Sequence, residues 1–273
     1  MSRARLFACV VLALLAFAGN SLLCRLALTT TPIDAATFTV VRIGSGAVVL
    51  WLLARGGGLG GSWLSALALF AYAAAFSFAY RQLSAGTGAL LLFGAVQASM
   101  IAGGLARGER LRGMQLAGIA LALGGLVVLL LPGLAAPPLP ASLWMLGAGV
   151  AWGIYSLRGR GSGDPLHATA GNFVRALPFA LVLSAVMLHS ATYSAAGVLY
   201  AIASGALTSG VGYAIWYAAL PRLAAVQAAS VQLSVPVLAA LGGVALLGEM
   251  PTLRLMACSA AVLGGIALVI ARR

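Results

Sequence analysis

The chain has 273 residues, of which 62% are apolar and 7% charged, with a mean hydropathy of +1.07; a soluble domain carries close to a quarter charged residues. At about 20 residues per bilayer-spanning helix, the length is taken up by roughly ten spans and short loops, which excludes a soluble enzyme or binding domain. The net charge of +12 rests on 16 basic residues, all arginine, and reads as the positive bias of membrane loops and not as a nucleic-acid surface.

Apolar runs broken by Gly, Pro and Arg predict helices at 6–26, 35–54, 62–80, 84–106, 112–131, 142–158, 166–188, 195–218, 223–247 and 252–271. Arg3, Arg5 and the small-residue pattern Ala16-Phe17-Ala18 imitate a signal peptide. The apolar character continues past residue 18, so a retained first helix is expected. Between the fifth and sixth spans, Pro132–Pro140 holds four prolines and no charge, and reads as a non-helical linker joining residues 1–131 to 141–273. With the N-terminus inside, eleven arginines fall in cytoplasmic loops or termini and only Arg81 and Arg254 in outer loops. Both termini are therefore expected in the cytoplasm.

The halves repeat. Gly108-Glu109 and Leu123-Gly124-Gly125 recur 140 residues later as Gly248-Glu249 and Leu263-Gly264-Gly265, while Val41-Arg42 and Arg25 recur 133 residues later as Val174-Arg175 and Arg158. Each half holds five spans. Five is odd, so the expected fold is an all-α integral membrane protein of ten transmembrane helices arranged as two inverted-topology five-helix repeats, the geometry of alternating access.

These marks, with Trp152-Gly153 opening the second half, resemble the EamA-type exporters of the drug/metabolite transporter superfamily over essentially the whole chain. Within that superfamily the likeness is to exporters of aromatic amino acids. The resemblance implies a transporter in the bacterial inner membrane that moves amino acids outward, as a monomer or weak homodimer. A broad drug or metabolite exporter is the second reading.

Polar groups within spans are costly and map a pathway. Asp34, Glu109, Asp164 and Glu249 all fall in loops or at span ends, as do His167 and His189. That argues against a carboxylate proton relay, an intramembrane metal site or a His-dependent enzyme. Cys9, Cys24 and Cys258 lie in apolar runs without CxxC spacing, so no metal or cofactor is expected. Glu109 and Glu249 read as helix-start residues near Arg110 and Arg254.

Arg175 lies about 15 Å into its span at 1.5 Å per residue. It meets either a substrate carboxylate or backbone carbonyls, including that of Val174, freed by Pro178. Arg42, about 10 Å deep, reads as structural. Gln227, Ser230 and Ser234 share one helical face, with Gln232 pointing elsewhere; the stripe faces a cavity or glues helices together. Pro236 after it is a candidate hinge. Asn20, and Gln97 with Met100 on its face, are further candidate ligands. Phe76 and Tyr80 in the third span match Tyr213 and Tyr217 at an offset of 137, with Trp216 beside them and Trp152 and Tyr155 on the sixth. Such rings suit an aromatic or aliphatic side chain, or else form an interfacial belt. Gly118, Ala122, Gly124, Ala257, Ala261 and Gly265 have small-xxx-small spacing and read as helix contacts.

Overall fold

The computed structural model describes residues 2–55, 58–106, 108, 113–133, 135–159, 163–223, 228 and 231–271. The helices among them are α1 (Arg3–Thr30), α2 (Ala35–Leu53), α3 (Trp63–Tyr80), α4 (Ala85–Leu105), α5 (Gly113–Leu130), α6 (Leu139–Gly159), α7 (Pro165–Val186), α8 (Ala195–Arg222), α9 (Ser234–Leu247) and α10 (Leu253–Ala271). No strand occurs among the described residues. By length and composition, α1–α5, α7, α8 and α10 are apolar enough to cross a membrane, and α9 is a shorter apolar helix.

The loops carry the start signals. Ser2, Asp34, Ser62, Ser84, Asp164 and Ser194 each precede a helix and accept a hydrogen bond from an N–H of its first turn, replacing a partner the helix cannot supply. Asp34 also accepts from the Thr192 N–H at 3.0 Å, tying the α1–α2 turn to the segment before α8.

Three boundaries differ from the sequence reading. The proline linker ends early, because α6 starts at Leu139 with Pro140 in its first turn, where a missing N–H has no acceptor to lose. The ninth span is broken: Leu233 is a turn, and α9 begins at Ser234 with Pro236 in its first turn. The eighth is one helix that widens to π geometry over Ser204–Val211, a defect that recurs at functional sites.

Helices with corresponding places in the two halves lie against each other: α2 on α7, α4 on α9 and α5 on α10. The α5–α10 pair is antiparallel. Arg254 at the start of α10 donates to the carbonyls of Val128 and Leu131 at the end of α5, and Gln115 at the start of α5 reaches the Val269 carbonyl at 3.4 Å. Between these points a Cβ on Gly118 would come within 2.6 Å of the Gly265 carbonyl, and one on Gly265 within 2.7 Å of the Ala122 nitrogen. The backbones touch through small residues, as the spacing predicts, although Gly124 and Gly264 face open space. Likewise α2 runs against α7, with Gly44 beside Leu177 and Gly46 beside Phe173. Outward faces are Leu- and Val-rich, with Trp51 and Trp63 exposed near helix ends, as suits a surface solvated by lipid.

Two measurements check this packing. Gly265→Leu is expected to destabilise the protein by about 2 kcal/mol through overpacking, read as a lower thermal midpoint in detergent, with Gly264→Leu unchanged. At Asp34, partial burial raises the carboxyl pKa, but hydrogen bonds from Thr37, Thr192 and Ala36 outweigh it and hold the group below its usual 3.8. A depressed acid stabilises above the unfolded-state pKa and loses that contribution as pH falls through the folded-state value. The stability gap between wild type and Asp34→Asn is therefore expected to close below pH 3.8.

Candidate functional site

A cavity of about 760 Å³ lies between α1, α3, α4, α6, α7 and α8. Its mouth is formed by Gly61, Arg158, Gly159 and Pro165, all exposed, together with Ser62. Two local devices shape this end. Gly61 has φ +82° and sits where a Cβ would strike the Asn172 side chain, a backbone conformation that favours glycine. Asn172 Oδ1 in turn accepts from the Ser62 N–H at 2.9 Å, and Arg158 donates to the Ser65 hydroxyl at 3.2 Å.

The middle of the cavity is a cage of rings centred on Trp152. Its indole lies 4.7 Å from Tyr72, 5.2 Å from Tyr155 and 5.5 Å from Tyr213, centroid to centroid, the last pair stacked at 23°. Phe17 lies 5.8 Å from both Tyr213, tilted, and Trp216, edge-on. Four helices thus contribute rings to one wall, with spacings at which aromatic pairs attract beyond simple burial.

Beyond the rings lies a polar end. Asn20 donates to the Tyr72 hydroxyl at 3.3 Å, and its carbonyl oxygen accepts from Ser204 at 2.7 Å, with the Thr208 hydroxyl 3.4 Å away. Ser204 and Thr208 belong to the π segment, which therefore lies beside this amide. Arg42, 2% exposed, stands behind this wall: its Nη2 donates to the same Tyr72 hydroxyl at 3.1 Å, and its guanidinium carbon lies 4.9 Å from the Phe76 ring centre and 5.3 Å from that of Tyr72. No carboxylate lines the cavity among the described residues.

The opposite end of the bundle is closed by an ion pair. Arg25 Nε meets Glu249 Oε1 at 2.9 Å, Arg25 Nη1 donates to the Tyr80 carbonyl at 3.0 Å, and Glu249 Oε2 accepts from the Ala85 N–H at 2.8 Å. One cluster thereby ties the end of α1 to the α3–α4 turn and the α9–α10 turn. Glu249 pairs with Arg25 and not with Arg254, which is occupied with carbonyls of α5.

Of the residues expected at a substrate site, Asn20, Phe76, Gln97, Met100, Trp152, Tyr155, Tyr213 and Trp216 line the cavity. Gln227 and Ser230 lie outside the described residues. Three others stand elsewhere. Tyr80 is fully buried and gives its hydroxyl proton to the Ala85 carbonyl. Ser234 is turned back on the Val231 carbonyl, while Gln232 lines the cavity, the reverse of the expected facing, because the break at Leu233 resets the helical register. Arg175 donates to the carbonyls of Gly60 and Leu59, so it holds the α2–α3 connection in place.

The residues not anticipated are Thr208, Ser209, Asn172 and Thr169. The i, i+4 spacing of Ser204 and Thr208 carried a signal, but one that packing hydroxyls share. Tyr217 lines the cavity and belongs to no lipid-facing belt. Among the described residues no group of His, Cys, Asp and Glu is placed to hold a metal ion.

Residues 139–271 match the EamA-like transporter family. An uncharacterized protein of Pseudomonas aeruginosa is 59% identical over 273 residues, covering 96% of this chain and 93% of its own length. A solved crystal structure superposes with a TM-score of 0.67 at 21% identity, over 98% of this chain and 96% of that one; at that identity it shows a shared fold.

Glu249→Gln is expected to remove the charge-assisted pair with Arg25 and to cost about 2 kcal/mol, read as a lowered thermal midpoint. The exchanged pair Arg25→Glu with Glu249→Arg is expected to recover part of the loss.

Proposed function

We propose that this chain, which belongs to one family with its Pseudomonas aeruginosa relative and carries an EamA-like transporter domain, is an inner-membrane exporter of neutral amino acids, aromatic ones among them. That domain makes it a multi-pass membrane transporter of the drug/metabolite type. The observation that carries the finer reading is the cavity: open at one end, closed by Arg25–Glu249 at the other, and walled by rings around Trp152. A site of this shape takes an apolar side chain against the rings and leaves polar groups for the ends of the molecule.

Alternating access requires the closed end to open and the open end to close. The antiparallel packing of α2 on α7 and of α5 on α10 supports two inverted repeats of five helices, residues 1–131 and 141–273 joined through 132–140, related by an axis in the membrane plane. With both termini cytoplasmic, as the arginine distribution supports, the open mouth faces the cytoplasm. Pro236, beside the break at Leu233, supplies a hinge for α9. Since no described carboxylate lines the path, the reading is of a facilitator without proton coupling, complete within one chain, whether monomer or weak homodimer. The aromatic walls also favour the second reading, a broad exporter of apolar drugs or metabolites.

Uptake of labelled phenylalanine and leucine into proteoliposomes of the purified protein, with and without a pH gradient and with unlabelled competitors, tests this. Saturable uptake insensitive to the gradient is expected. Gradient-driven uptake would overturn the facilitator mechanism, and absence of uptake would overturn the amino-acid reading in favour of drug or metabolite export. Trp152→Ala is expected to raise KM for phenylalanine about tenfold, the scale of losing one or two ring contacts, while Tyr193→Ala, at an exposed position, leaves it unchanged.

A further inference from the structure

Arg42 is a full positive charge buried in the middle of the bundle with no carboxylate beside it among the described residues. Asp34 and Asp164 cap helices, and Glu249 is held by Arg25. Around the guanidinium stand two ring faces and one phenol oxygen, with Tyr213 and the Cys24 thiol near enough to feel its charge. Its Nη1 has no hydrogen-bond partner among the described residues, and neither does the buried hydroxyl of Ser209, which lines the cavity nearby on the π segment. A buried charge without a counter-ion is costly, as is a buried donor without an acceptor.

The neighbouring groups are short of acceptors in the same way. The Tyr72 oxygen already accepts from both Asn20 Nδ2 and Arg42 Nη2, so its own proton points away from both. Asn20 Oδ1 accepts from Ser204 at 2.7 Å, while the Thr208 hydroxyl, 3.4 Å away, sends its proton to the Ser204 carbonyl at 2.7 Å; the Asn20 amide keeps an N–H free of Tyr72. This end of the cavity therefore gathers donors around a cation, with only neutral hydroxyl oxygens and ring faces to meet an ammonium group.

We propose that this deep end is a carboxylate site. The cargo is then a monocarboxylate with an apolar or aromatic body, its carboxylate accepting from Tyr72 and Ser209 at the wall, held by the charge of Arg42 directly behind it, and its body lying against Trp152. An amino group is tolerated, not required. The inference rests on the cavity being the substrate path, and it replaces Arg175, committed to loop carbonyls, by Arg42 as the specificity-determining cation.

Trp152 and Trp216 line the cavity, so tryptophan fluorescence of the purified full chain in detergent reads occupancy directly. The probes are 3-phenylpropionate, its neutral amide 3-phenylpropionamide, phenethylamine and phenylalanine. Wild type is expected to bind 3-phenylpropionate about tenfold or more tightly than the amide, as a charge-assisted bond exceeds a neutral one, and phenethylamine weakest. Arg42→Gln is expected to erase the acid–amide difference and Arg42→Lys to keep part of it. The ligand pairs on wild type decide the matter even where Arg42→Gln does not fold. Equal binding of acid and amide, tighter binding of the amine, or no binding of any probe overturns the carboxylate site. Saturable phenylalanine transport in which acid and amide compete equally would sink this inference and leave the transport reading intact. Binding of 3-phenylpropionate without phenylalanine transport would do the opposite.

Discussion

Hydrocarbon offers no hydrogen-bond partner, and the architecture follows from that constraint. Helices satisfy their own backbones, and the capping residues Ser2, Asp34, Ser62, Ser84, Asp164 and Ser194 satisfy the ends. A hydroxyl within a span can turn back on a carbonyl of its own helix, as Ser77 and Ser99 do, but a larger polar group must find its partner across a helix contact. Asn20, Tyr72, Arg42, Ser204 and Thr208 come from four helices and meet at one place because each is costly anywhere else. The same requirement that stabilises the bundle concentrates its polar chemistry at the end of the cavity.

Close packing through small residues makes room for this arrangement. Gly118 against Gly265 brings α5 and α10 to backbone contact, and Gly46 admits the Phe173 ring between α2 and α7, while α1, α3, α6 and α8 carry the rings that wall the cavity. Arg25–Glu249 is a contact of a different kind, holding three chain segments by two charges and one helix start. Charges can be separated by water when an end opens, whereas interlocked glycines cannot slide without clashes. The bundle thus combines seams of two kinds, close-packed glycines and one charge pair.

The limits of sequence reasoning show at individual residues. Counting from the start of a span made Arg175 the deep arginine and Arg42 the shallow one, yet the carbonyls of Gly60 and Leu59 come to Arg175, whereas one nitrogen of Arg42 has no partner among the described residues. Depth along a helix is local information, and partners arrive from elsewhere in the chain. The stripe argument at Ser234 assumed an unbroken helix, and one turn residue at Leu233 moved Gln232 to the cavity instead. Tyr80 shared a face with Phe76 but lies a turn further on, against α4, where Gly88 leaves room for its ring.

The sequence by itself determined the solvent and the element order: apolar runs of spanning length, broken by capping and turn residues, fold into helices in lipid whatever their neighbours are, because each helix satisfies its own backbone. It also determined which residues are small and which are aromatic, while the packing chose Gly118 and Gly265 and not Gly124 for the helix contact. Only the tertiary structure decided which polar and aromatic groups share a cavity, that a π segment lies beside Asn20, and that Arg42 keeps a buried guanidinium nitrogen without a described partner while Arg175 is taken up by loop carbonyls. Those properties depend on distances between helices far apart in the chain, set by the packing of all the side chains at once, and no periodicity within one span encodes them.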